Sequence, residues 1–527
     1  MVMTQYSLRK DYWDNFSLQQ EDIEFIYNHL LETETPLTSK ELLDLLVKER
    51  IQREKTLIDK QRSAGGDQYL PKHRYAVSHR LIFPALDWKK GKVVNVRPGN
   101  NPELGEFEVI QVAFEDGDVR EYAAGLQDHL LNQPVSLAEV DATLDPVSVL
   151  REYREFLVET LEEELNKNED FVRIAGRWFP RALLLSINIG HLNLAEAVLD
   201  MAGGGPLPTA TLLEQLEMPA NVNPKLLEFS MDLALQEDER FDEVGAAGEV
   251  LWFLNRLEPE SVLEPPVHLR YPGMDYDRSL LTGEMQALER ELDDELSPLE
   301  GKYQNLEDVQ LNLIYPHWRA GTLPLSSRLR YQFPTAYEAP RIRFTLVDGL
   351  SGEKFPAWVV RPKRYVYGLR EWYEKHNLMP GSRIRIRRSQ VPGEVLIYPE
   401  ARRPSKEWVR TVLIGSDGGV VFAMLKQTIH SNFDERMTIA VPDVEAVDRL
   451  WAQMSKERQP FEKVVVNTVR ELAKLNPQGH VHASELYAAL NVIRRCPPGP
   501  ILTLLASRPW FTHVGDLHFR FNDTERI

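Results

Sequence analysis

The chain has 527 residues and a net charge of −18, and single hydrophobic cores stop growing near about 250–300 residues, so one core is excluded and four or five domains are expected. A hydrophobic content of 43% with 27% charged residues excludes a disordered or fibrous chain. No window approaches about 18 uninterrupted apolar residues, the opening MVMTQYSLRKDYWDNF has no apolar stretch for a secretion signal, and the single cysteine, Cys496, builds neither a disulfide framework nor a thiolate zinc site, so a cytoplasmic protein with no membrane partner is expected.

Residues 18–62 read as two helices. Ile23, Ile26, Tyr27, Leu30 and Leu31 fall on one helical face. Thr35-Pro36-Leu37 then interrupts, and Thr38 with Glu41 makes a capping box for a second helix carrying Leu42, Leu43, Leu45, Leu46 and Val47. The outline over 1–66 is a helix-turn-helix, with a plain αα-hairpin as the equal alternative. Residues 67–135 change period to short β-rich runs: Val93, Val94 and Val96, then Phe107, Val109, Ile110, Val112 and Phe114. Turn residues at 97–102 and 115–118 punctuate them, which predicts a small barrel. The string Gly91-Lys92-Val93-Val94-Asn95-Val96-Arg97 and the following hairpin resemble Tudor- or KOW-type barrels, a resemblance that implies binding of nucleic acid or peptides.

Residues 147–257 return to helices, with a hairpin at 171–179, helices at 192–201, 209–216 (Thr209 as its cap) and 224–235, and a strand pair over 240–254. The same order recurs over 446–527, with helices at 461–474, 482–490 and 498–506 and strands over 510–521. Arg240-Phe241-Asp242-Glu243-Val244-Gly245 aligns with Trp510-Phe511-Thr512-His513-Val514-Gly515. Both segments resemble winged helices of the HARE type, found in transcription-associated and restriction proteins. Between them, 258–310 is acidic and proline-bearing and reads as a solvated connector with one exposed helix.

Residues 311–445 form a basic β domain. Strands are expected at 321–327, 341–349 and 355–362, then a short helix with Leu369, Trp372, Tyr373 and His376 at helical spacing, then a turn and strand from 379. The stretch LREWYEKHNLMPGSRIRI resembles the DNA-binding pseudobarrel of plant auxin-response and abscisic-acid-type regulators, which has relatives in restriction-enzyme effector domains. Trp372, Asn377, Leu378, Gly381 and Ile384 fill the family's places, while Ser382 stands where an acidic residue is usual. The fold class expected is therefore α+β multidomain, with tandem winged-helix or helix-turn-helix domains and two small β-barrels.

The net charge is a sum over unlike segments. Residues 341–410 hold 16 Lys/Arg against 7 Asp/Glu, a net of +9, whereas 231–300 hold 5 against 19, a net of −14. In a strand, Arg383, Arg385 and Arg387 share one face and Ile384 and Ile386 the other. With Arg361, Lys363, Arg364, Arg388, Arg402 and Arg403 they are the candidate nucleic-acid-binding residues, because guanidinium forks match phosphate oxygens. Six phosphate contacts would give a slope of log K against log salt of roughly −5. The competing reading is a solvated strand face neutralised by acids of neighbouring domains. Tyr365, Tyr367 and Trp372 are stacking candidates, though Trp372 on an amphipathic helix reads first as core.

No phosphate-cradling, dinucleotide, nucleophile-elbow or His-Glu-x-x-His motif is present. His480-Val481-His482 has no third histidine or cysteine near it in sequence and reads as a helix start. Cys496 follows Arg494 and Arg495, which would lower a thiol pKa, but it has no identifiable histidine partner. Asp348…Glu353-Lys354 is the nearest approach to a nuclease string and falls in a turn. No cofactor and no metal are expected. The expected function is non-enzymatic binding of nucleic acid, double-stranded DNA first, in transcription, repair or defence. The alternative is a scaffold whose acidic winged helix binds other proteins, and a metal-dependent nuclease is a distant third.

Overall fold

The computed structural model describes residues 12–63, 66–83, 86, 89–101, 105–114, 117–132, 144–216, 222–298, 306–415, 418–457 and 459–522. Parts of the turns expected at 97–102 and 115–118 lie outside them. Two units are distinguishable: Met1–Leu185 with Val222–Phe229, and Ser186–Asn221 with Ser230–Ile527.

One order of elements occurs three times among the described residues: helix, short strand, helix, helix, hairpin. The first copy is α1 (Gln20–Thr33), β1 (Leu37–Thr38) and α2 (Ser39–Ser63). It is interrupted by an inserted sheet of β2 (Asp67–Gln68), β3 (Arg80–Phe83), β4 (Lys89–Pro98), β5 (Glu108–Phe114) and β6 (Val119–Ala124), paired in that order. It then resumes with α3 (Pro146–Asn166), β7 (Phe171–Ile174) and β8 (Arg177–Pro180). The second copy is α4 (Ile189–Met201), β9 (Leu207–Pro208), α5 (Thr209–Glu214), α6 (Pro224–Gln236), β10 (Phe241–Glu243) and β11 (Leu251–Leu254). In each copy the last strand lies in the middle of its sheet, giving β1-β8-β7 and β10-β11-β9. This corrects the domain expected over 147–257. The hairpin at 171–180 pairs with β1 and completes the first copy, because the inserted sheet separates α2 from α3 in sequence but not in packing.

A buried polar trio repeats with the fold. Trp178 Nε1 donates to Ser39 Oγ (3.0 Å), and Ser39 Oγ donates to Glu162 (2.6 Å). Trp252 Nε1 likewise donates to Thr209 Oγ1 (3.0 Å), and Thr209 donates to Asp232. A buried indole N–H needs an acceptor, and the first residue of the second helix supplies it. Thr209 is therefore a buried anchor inside α5, and the N-cap is Pro208.

The acidic segment is not a solvated connector. After α7 (Glu260–Leu263), α8 (Gly283–Leu292) buries Met285 and Leu288 in the largest core cluster among the described residues, and Leu281 joins them. Burying side chains of this size stabilises by roughly 1.5–3 kcal/mol each, and charge counting alone misses that contribution.

Next comes a seven-stranded curled sheet. It is built from β12 (Asp308–Asn312), β13 (Thr322–Pro324), β14 (Arg341–Asp348), β15 (Lys354–Val360), β16 (Tyr365–Tyr367), β17 (Arg383–Arg388) and β18 (Glu394–Pro399), in the order β12-β17-β18-β14-β15-β16-β13. α9 (Tyr315–Ala320) and α10 (Arg370–Lys375) lie between strands in sequence. Leu323, Ile342, Leu346, Val359, Val366, Ile384, Ile386 and Ile397 form its inner face with Leu369, Trp372 and Tyr373. A long ribbon follows, β19 (Ala401–Ile414) with β20 (Val420–Ser431), and β21 (Ile439–Ala440) pairs with β19.

The chain then runs through α11 (Val444–Glu457) into the third copy: α12 (Phe461–Ala473), β22 (His480–His482), α13 (Ala483–Ile493), α14 (Pro498–Ser507), β23 (Phe511–Gly515) and β24 (His518–Phe521), with sheet order β22-β24-β23. Phe519 and Ala483 stand where the other copies have tryptophan and a hydroxyl residue. With no indole N–H to satisfy, no acceptor is needed.

A buried ionic network joins three parts of this second unit. Arg495 Nη2 reaches Asp294 at 2.6 Å and Glu295 at 2.7 Å, Tyr487 donates to Asp294, and His317 Nε2 lies 3.1 Å from Glu295. His317 Nδ1 lies 2.8 Å from Thr322 Oγ1. All of these side chains are buried. Burial pushes the Asp294 carboxyl up. Burial also opposes ionisation of Glu295, yet Arg495 and His317 hold it well below the usual carboxylate range. Removing one partner of such a network leaves buried charge uncompensated and costs about 3–5 kcal/mol. Arg495→Leu is therefore expected to lower the unfolding free energy of this unit by that amount in a urea titration, and an unchanged midpoint and slope would show the network to be dispensable.

Candidate nucleic-acid interface

The positioning of β17 begins at Gly381, whose φ of +94° and close approach to Thr438 leave no room for a Cβ. Ile384 and Ile386 then point into the sheet core, and Arg383, Arg385 and Arg387 share the other face, as the alternation predicts. The arginines are unequally placed. Arg383 is half-buried, 3.8 Å from Asp434, and lines a polar cavity of about 270 Å³ with Asn312, Arg328 and Asp293. Arg385 lies 4.9 Å over the Tyr398 ring. Arg387 and Arg388 are exposed, and Arg388 Nε donates to the Tyr331 carbonyl. Across the strands, Asn312, Gln310 and Asp308 stand opposite Arg383, Arg385 and Arg387.

The remaining candidates do not join this row. Arg361 donates to the Ala339 carbonyl, and Arg364 donates to the carbonyls of Glu295 and Ser297. Both flank exposed Lys363 on the loop between β15 and β16, three strands away from β17. Arg402 pairs with Glu407 at 2.9 Å and lies over Phe433, while Arg403 is exposed. Tyr365 and Trp372 are core residues.

The competing reading, neutralisation by acids of neighbouring segments, holds for β14. Arg341 pairs with Asp242 at 2.6 Å and approaches Glu258 at 3.1 Å, and Arg343 lies over Phe253 and Trp358. Burial, reinforced by Asp242, pushes Glu258 up to about 8. The basic segment thus divides into a locked half on β14 and a more open half at β17 and beyond.

The residue overlooked in sequence is Trp408. It is 62% exposed on the β19–β20 ribbon and is the exposed tryptophan among the described residues. Its cross-strand partner Lys426 places Nζ 5.3 Å from the ring centroid. Exposed Lys406 precedes it on the same face, opposite Thr428. Met424 and Leu425 are exposed as well, so this part of the ribbon stands clear of the core. The signal was available as Lys406-Glu407-Trp408-Val409-Arg410, an alternating strand whose aromatic falls on the charged face.

The third helices of the three copies are poor phosphate binders. α3 carries Arg151 and Arg154 against six glutamates, α6 carries a single lysine, Lys225, and α14 is buried from Pro498 to Leu505.

Lys354 pairs with Glu394 and does not join the acids of its string, whereas Asp348 accepts from the Leu350 amide, lies 2.8 Å from His376 Nε2 and shares Lys375 with Glu353, at 3.5 Å and 2.5 Å, beside the turn. His482, Asp516 and His518 come within 4.8 Å of one another, supplying the third histidine that the sequence did not place. They do not fit a cation. Arg436 lies 3.1 Å from His482 Nε2 and 3.5 Å from Asp516, and His482 Nδ1 accepts the Ser484 amide, whereas a ligating imidazole donates from its second nitrogen. No protein-family model, curated protein or solved structure matches the chain.

Cys496 reverses the expectation drawn from its arginine neighbours. It is 1% exposed, and burial pushes its thiol up despite Arg495 and Arg494. A disulfide reagent is expected to titrate no thiol in the native protein and one after denaturation. Rapid native reaction would restore Cys496 as a candidate nucleophile.

Proposed function

We propose that the protein is a non-enzymatic nucleic-acid-binding protein, double-stranded DNA being its first expected partner, acting in transcription, repair or defence in the cytoplasm. The observation that carries this reading is the set of exposed cations on two strand elements, Arg387 and Arg388 at the end of β17 and Arg403, Lys406 and Lys426 on the β19–β20 ribbon, which also exposes Trp408. Cations spaced along exposed strands suit a phosphate backbone. In this reading the three helix–strand–helix–helix–hairpin copies are winged helices, the inserted sheet is a Tudor- or KOW-like module and the curled sheet is a pseudobarrel. The acidic or buried third helices argue that the copies act as spacers and docking modules and that the strands contact the phosphates. No helix among the described residues is long and apolar enough to cross a membrane.

A second reading, protein docking, is favoured for the middle copy alone. Residues 186–257 carry three Lys/Arg against twelve Asp/Glu, and α4 exposes Ile189, Leu194 and Met201. Exposed apolar side chains on an acidic module suit a basic amphipathic partner.

Each phosphate neutralised adds about −0.9 to the slope of log K against log salt. Binding of a random-sequence duplex is expected to show a slope of about −3 or steeper. Reversing Arg387, Arg388, Arg403 and Lys406 to Glu is expected to flatten that slope and weaken low-salt binding at least about tenfold. No binding by the intact protein at low salt would remove the reading.

A further inference from the structure

We infer that the β19–β20 ribbon is a stacking platform for an unpaired base, so that the preferred ligand carries a single-stranded or opened segment beside its duplex; this rests on the nucleic-acid reading above. A tryptophan is normally placed where its large apolar surface is buried. Trp13, Trp178, Trp252, Trp358, Trp372 and Trp451 are buried here, and Trp318 and Trp510 are partly so. Trp408 is the exception among the described residues, exposed while Val409, Val412, Phe422 and Ile429 are the buried apolar residues of the ribbon.

The surroundings of the ring select the ligand. Lys426 sits across the strand with its ammonium over the indole, and Lys406 lies two residues away on the same face. On the other side Arg410 is bound to Glu485 at 2.6 Å and to the Glu435 carbonyl, which leaves Met424 beside the tryptophan. The face therefore offers one π-surface, a soft apolar neighbour and two ammonium groups. That set matches a base with its flanking phosphates. Stacking is indifferent to base identity because every base has a π-face, and lysines serve as flexible point charges for phosphate. It matches a duplex groove poorly, because groove reading needs a row of side chains that donate to and accept from base edges. On this face, with Arg410 bound to Glu485, the groups that could do so are Thr428, His430 and the lysines. A protein partner is the other occupant such a face could take, but the flanking cations favour an anionic ligand.

The test compares three probes of equal length by fluorescence anisotropy: a duplex, a single strand, and a single strand in which every base is abasic. The last keeps the phosphates and removes the stacking partners. The expected result is that the single strand binds roughly tenfold tighter than its abasic counterpart. Trp408→Ala should abolish that gap, and Trp408→Phe should keep most of it. Because Trp408 is exposed, both variants should melt at the wild-type temperature. Lys406→Glu with Lys426→Glu should weaken both single strands alike. Equal binding of the two single strands by the wild-type protein, with duplex binding intact, would overturn the stacking site while leaving the nucleic-acid reading in place. Failure of all three probes to bind would overturn both. A gap that persists in Trp408→Ala would place stacking elsewhere and overturn the assignment to this ribbon.

Discussion

The second unit depends on one arginine. Arg495 follows α13 and is buried between Asp294 and Glu295, which close the acidic segment, while Glu295 also meets His317 on α9 of the curled sheet. Three stretches far apart in sequence are thus held by one set of charges with no access to water. Charges in such a place attract strongly but are costly to desolvate, so the geometry must be complete. Further hydrogen bonds support it: Tyr487 donates to Asp294, Thr322 lies beside His317 and Arg495 donates to Asn491 Oδ1, while Arg495 Nε is buried without a partner. The network fixes where the third copy packs, and with it the root of the ribbon, since Val412 and Phe422 share a core with α12 and α13.

The three copies show how one fold keeps its polar interior consistent. Where the central strand carries tryptophan, the second helix opens with serine or threonine, and the third helix supplies an acid. Where it carries Phe519, the helix opens with Ala483. The copies have also taken on different surface chemistry. The middle one is acidic with an apolar helix exposed, and the last is so enclosed that α14 has no free face. Similar topology therefore does not carry similar recognition.

Local chemistry was legible in the sequence. Thr38 and Glu41 form the reciprocal cap expected of them, the aromatic-Val-Gly hairpins are present at β10–β11 and β23–β24, and the Ile384/Ile386 face is buried. Long-range pairing was not. A sheet inserted between α2 and α3 hid the first copy, because a contiguous reading assigned its hairpin to the next domain. The acidic run reads as solvated by charge counting, which weighs neither the Leu281, Met285 and Leu288 stripe nor the buried partner 200 residues away. For the candidate interface, strand alternation located the arginine face correctly. It could not show that Arg361, Arg364 and Arg402 are spent on carbonyls and acids, nor that Trp408 is the tryptophan left open among the described residues. Those outcomes depend on neighbours that only the tertiary fold supplies.

The claim that strands, and not third helices, meet the ligand is tested most directly by hydrogen–deuterium exchange, with and without a DNA carrying both a duplex and a single-stranded tail. Added protection is predicted in Arg383–Arg388 and along Ala401–Ile414 and Val420–Ser431, with α3, α6 and α14 unchanged. Protection gathered on those helices, with the ribbon unaffected, would contradict the account.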